Sequence, residues 1–202
     1  MSEIPFGVTI PTIMDNDPPQ RIIYREIDIE IATPEEVQQG KPPINIIYLD
    51  NNEPPEDDIQ VFIARVINRA TIRPVSLIDS TSPLDLNCNE QCYIVFQLAD
   101  YWNWQFDPKG YAFTTKEYEG FKYFNLIHVI WDPVTQRPVE YPEGEAPGEG
   151  CRLLYFRAQG TTAGYQDGFN LTIELNLGFS DQDKRRTKIV VDPDIRHPGG
   201  ST

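Results

Sequence analysis

With 31 Asp and Glu against 17 Lys and Arg, this 202-residue chain carries a net charge of -14. It is long enough to bury roughly 70% of its unfolded surface without a metal or disulfide, and acidic enough to be repelled by nucleic-acid phosphates and anionic membranes. Three cysteines, no basic start followed by an apolar run, and no continuous apolar stretch of membrane length predict a cytoplasmic protein with reduced thiols and neither nucleic-acid nor membrane partners.

The opening, residues 1–20, holds Pro5, Pro11, Pro18 and Pro19 between β-branched residues, so it reads as an extended arm. From Arg25 to Ile31, Ile27, Ile29 and Ile31 alternate with Glu26, Asp28 and Glu30, which predicts a strand with a wholly acidic outer face. Thr33-Pro34-Glu35-Glu36 with Gly40 behind it signals one or two helical turns. Ile44 to Asp50 reads as a strand, ended by an acidic, Pro-rich loop.

Residues 59–70 are ambiguous. Ile59, Phe62, Ile63, Val66, Ile67 and Ala70 follow helical spacing behind a capping Asp57 or Asp58, whereas β-branched content and strand-like neighbours favour a strand. The balance falls on strand. Further strands are expected at Val75–Ile78, Cys92–Leu98, Tyr101–Phe106, Tyr111–Phe113 and Phe121–Trp131, the last buried on both sides except at Asn125 and His128.

Residues 132–150, with four prolines, three glycines and four glutamates, read as a long exposed loop. Arg152 to Ala158 is another strand, and residues 160–168 form a small-residue loop. The clearest pattern follows: Phe169, Leu171, Ile173, Leu175, Leu177 and Phe179 alternate with Asn170, Thr172, Glu174, Asn176 and Gly178. That is a half-buried strand with a polar face in water, and its expected hairpin partner is Thr187–Asp192 across a charged loop. The predicted fold is all-β, a two-sheet antiparallel β-sandwich (Ig-like or jelly-roll) over residues 21–192, with Pro-rich extended arms at 1–20 and 193–202.

Chemistry is sparse in the pattern. Cys88 and Cys92 are separated by three residues without a second pair at zinc-site spacing, and the acidic pairs at 15/17, 57/58, 181/183 and 192/194 match turns rather than a calcium loop. No metal or cofactor is expected. Asn170-Leu171-Thr172 has the form of a glycosylation acceptor but lies inside the best strand. Tyr101, Trp102, Asn103, Trp104, Gln105 and Tyr111 form the candidate binding stretch, since rings flanked by amides stack and hydrogen-bond small ligands or sugars, although the plainer reading puts Trp102, Trp104 and Phe106 in the core. An enzyme would need His128 to face a pocket with Asp100 or Asp132 nearby.

The tail Asp192-Pro193-Asp194-Ile195-Arg196-His197-Pro198-Gly199-Gly200, together with Phe169-Asn170-Leu171, resembles the endings of small bacterial all-β proteins of unknown function, over roughly the last 30 residues. That resemblance implies no activity. The reading that follows is a non-enzymatic β-sandwich acting through protein contacts as a homo-oligomer, with a small-ligand or carbohydrate module, and then an enzyme, as the alternatives.

Overall fold

The computed structural model describes residues 12, 19, 21–41, 44–49, 58–67, 86–88, 90–99, 103–115, 122–159, 165–176, 186–191 and 194–197. All but two residues of the expected arm 1–20, the expected strand at 75–78 and the charged loop 180–185 lie outside them. In chain order the elements are β1 (Arg21–Ile31), α1 (Pro34–Gln38), β2 (Ile44–Leu49), α2 (Ile59–Val66), β3 (Leu86–Asn87), β4 (Cys92–Leu98), β5 (Trp104–Phe106), β6 (Phe113–Thr115), β7 (Tyr123–Asp132), β8 (Arg137–Pro142), β9 (Leu153–Ala158), β10 (Tyr165–Asn176), β11 (Arg186–Val191) and β12 (Asp194–His197).

Two sheets face each other. The first runs β2-β1-β4-β9-β7-β8; the second is centred on β10, which pairs antiparallel with β11, β12, β5 and β6. Most pairings are antiparallel, but β1 lies parallel to β4 and β12 parallel to β3. The alternation in β10 explains the packing: Phe169, Leu171, Ile173 and Leu175 enter one core with Ile94, Phe96, Leu154 and Phe156 of the opposite sheet. Phe113 meets Phe156 at 4.1 Å between ring centroids and Phe169 at 5.1 Å, so aromatic rings bridge the layers.

The segment at 59–70 corrects the expectation of a strand. Residues 59–66 are helical, with Asp58 Oδ1 accepting the Gln60 amide at 2.8 Å. Phe62, Ile63 and Val66 lie on one stripe and pack onto the outer face of the first sheet against Tyr24, Tyr93, Val95 and Leu153. A flat apolar patch on that sheet rewards the 3.6-residue period over β-branched propensity.

Burial also revises the polar faces. Glu26 and Asp28 are each 4% exposed, so these two acids of β1 do not face solvent. They share the helix-bearing side of the sheet with Tyr24, whose hydroxyl donates to Gln97 Oε1 at 2.7 Å. On β10, Asn170 is 1% and Glu174 8% exposed, so these two polar side chains are covered as well, while Thr172 and Asn176 stay half-buried. His128, expected as an exception to burial in its strand, is fully enclosed.

The segment read as an exposed loop holds a hairpin instead. β7 turns through residues 133–136 into β8, and β8 is the sheet edge, where Pro138 and Pro142 cost no ladder bond on the open side. β10 starts at Tyr165, inside the expected small-residue loop, and the C-terminal tail contributes β12.

Candidate functional site

A polar cleft of about 310 Å³ opens on the outer face of the second sheet. Its floor is set by strand register: Glu174 of β10 lies opposite Gln105 of β5, and Asn176 opposite Arg186 of β11. Because odd residues of β10 enter the core, even ones must face outward, which puts Glu174 and Asn176 on the cleft side. Asn103 and Trp104 complete this wall.

The second wall is the connector between β8 and β9, which supplies Glu149, Gly150 and Arg152. Three bonds fix it against β5, the turn after it and the end of β4: Gly148 N–H to Pro108 O at 3.3 Å, Phe106 N–H to Cys151 O at 2.7 Å, and Leu98 N–H to Arg152 O at 2.8 Å. Gly150 has φ 89°, a left-handed conformation that side chains resist. It directs its N–H to Gln105 Oε1 at 2.7 Å.

Charge is balanced at the centre. Arg186 Nη1 donates to Glu174 Oε1 at 2.7 Å, and its Nη2 pairs with Glu149 Oε1. Gln105 Nε2 donates to the same Glu174 Oε1 at 3.0 Å, so both amide ends of Gln105 are spent on the protein. Hydrogen bonding to Glu149, and more weakly the field of Glu174, holds Arg186 protonated more firmly than a free guanidinium. Beside them, Lys188 Nζ lies 3.6 Å from Asp107 Oδ2.

The candidate stretch from the sequence divides. Asn103 and Gln105 line the cleft; Trp104 also borders it but is 3% exposed, with its indole N–H donated to Ala99 O at 2.7 Å. Tyr111 is half-buried and takes no part in the lining, while Tyr101 and Trp102 lie outside the described residues. Glu149, Arg152, Glu174 and Arg186 were missed. Glu174 had a readable signal, as the acid in the middle of the most regular strand, whereas Arg186 falls at the end of the charged loop, one residue before the expected partner strand.

The other reactive groups are elsewhere. His128 is absent from the cleft lining, and burial pushes its pKa down to about 4 despite the backbone of Tyr141 and the charge of Asp107. Asp132 ends β7 at the hairpin turn, its carboxyl pKa lowered by bonds from Thr135 and Val134, and Asp100 lies outside the described residues. The Cys88 and Cys92 sulfurs approach to 3.8 Å within the core, where their contact and then burial push the Cys92 thiol up; burial alone carries Cys151 to about 12. Such thiols are poor nucleophiles. Among the described residues no three His, Cys, Asp or Glu side chains converge on a metal position.

Fold and cleft together define a β-sandwich with a charge-balanced, Arg-bearing depression on one outer face. The chain belongs to the pNTSase1 family, described as predicted novel nucleotide synthetases, whose model matches residues 24–200. A search of the curated proteins found no match. Membership over nearly the whole chain overturns the resemblance confined to the C-terminus, and it points to an enzyme where the sequence reading favoured a non-enzymatic assembly module. No helix among the described residues is long and apolar enough to cross a membrane.

Proposed function

We propose that the protein is an enzyme acting on a nucleotide bound in the cleft over β10. The observation that carries this reading is the pair of guanidinium groups, Arg152 and Arg186, at a depression whose floor is amide-rich. Guanidinium forks match phosphate oxygens two at a time, and the Asn103 and Asn176 side chains offer donors and acceptors to a base or ribose. Glu174, bonded to Arg186 and Gln105, acts as the brace that aims Arg186. Family membership supports the same substrate class, and the small-ligand expectation is kept with amides and arginines in place of stacked rings.

Titration calorimetry with the four common nucleoside triphosphates and Mg²⁺ is the test, coupled to an assay for released phosphate or pyrophosphate. Wild type binds at least one of them, and Arg186→Ala weakens that binding about 10- to 100-fold, the usual weight of a lost charge-assisted bond. Absence of binding at millimolar nucleotide, or an unchanged affinity in Arg186→Ala, removes the proposal.

A further inference from the structure

Arg186 presents the two ends of its fork differently. Nη1 points to Glu174, whose side chain is 10% exposed and held from behind by Gln105, whereas Nη2 pairs with Glu149, whose side chain is 59% exposed. One end is anchored to the sheet; the other holds an internal anion at the solvent edge of the cleft.

We infer that the Glu149 carboxylate occupies the seat of the substrate's phosphoryl group and is displaced when that group binds, an inference that rests on reading the cleft as the nucleotide site. A carboxylate and a phosphoryl group both present paired oxygens to a guanidinium, and the phosphoryl group brings more charge. Releasing Glu149 is cheap because exposed ion pairs contribute little. It also needs no rearrangement of the connector. Gly148 is bonded to Pro108 and Cys151 to Phe106, so the backbone on both sides of Glu149 stays pinned while its side chain swings outward. Glu174 remains in place and keeps Arg186 aimed. The unliganded protein thus carries its own weak competitor, which keeps Arg186 satisfied until a stronger anion arrives.

The test measures binding of ATP and of inorganic pyrophosphate to wild type, Glu149→Gln and Arg186→Ala by calorimetry. Removing the competitor charge tightens both ligands about fivefold in Glu149→Gln, the scale of one exposed ion pair, and Arg186→Ala weakens both. Glu149→Ala repeats the gain if the effect is loss of competition rather than a new amide contact. Should Arg186→Ala weaken ATP while neither Glu149 variant tightens it, the displaced-anion seat is wrong and the nucleotide reading stands. Tighter pyrophosphate with no ATP binding in any variant keeps the seat and removes the nucleotide. Binding of both ligands indifferent to Arg186 removes both.

Discussion

His128 shows how burial decides what a residue can do. Its ring is fully enclosed, and neither nitrogen makes a well-formed hydrogen bond to a described residue. Burial therefore holds the folded pKa near 4 against an ordinary 6.5. The unfolded chain takes up a proton below pH 6.5 that the folded chain refuses until about pH 4, so stability falls with pH across that window and levels off beneath it. At 1.36 kcal/mol per unit the loss by pH 4.5 is about 2.5 kcal/mol. Urea unfolding at pH 7 and pH 4.5 is expected to show wild type losing about that much more than His128→Gln, which has no such proton to take. Equal losses in the two proteins would place the ring in contact with solvent or an acid. The sequence leaves core and edge both open for this residue, because a histidine in an apolar strand looks the same on paper whether its strand is an edge or a covered ladder. Asn103 and Gln105 were legible because they stand beside a visible aromatic stretch. The convergence of Glu149, Arg152, Glu174 and Arg186 was not, since they come from three segments that only sheet register and one connector bring together.

At the scale of elements, local signals failed where a neighbour changed what they meant. Pro138 and Pro142 read as breakers, yet β8 is an edge strand that tolerates them. β-branched residues in 59–66 argued for a strand, until a sheet face offered their helical stripe a surface. β10 and β11 were readable in advance because a two-residue period over so many positions leaves few alternatives. The site depends on a contact of the same non-local kind. Gly110 has φ 86°, and a Cβ there would lie 2.5 Å from the Glu145 carbonyl oxygen. The turn after β5 and the connector that carries Glu149 are thus packed backbone to backbone. Gly110→Ala meets a left-handed conformation and a backbone clash together, and is expected to cost at least about 2 kcal/mol in chemical denaturation. The nucleotide affinity of the folded fraction should fall with it, because the connector must shift to admit the methyl group. Unchanged affinity in a destabilised variant would separate the connector from the site.

For the whole molecule, period-two alternation was enough to specify a layered β structure, while the cover over the β1 acids and the two parallel pairings depend on partners distant in sequence. Net charge is the whole-molecule property that bears most directly on function. At -14 the chain repels a polyanion at long range. The cleft does not offset this, since Arg152 and Arg186 stand with Glu149 and Glu174, and Lys188 stands with Asp107. Attraction to a phosphate begins only at contact, once Arg186 is reached. Salt therefore acts in the sense opposite to ordinary steering: it screens the long-range repulsion within about 10 Å at 0.1 M and leaves the short contact largely intact. Stopped-flow association of Mg-ATP is expected to speed up by about twofold or more between 20 and 150 mM NaCl, with a smaller effect on dissociation. An association rate that falls as salt rises would mean a positive field at the mouth, and the balanced-charge account of the cleft would have to be abandoned.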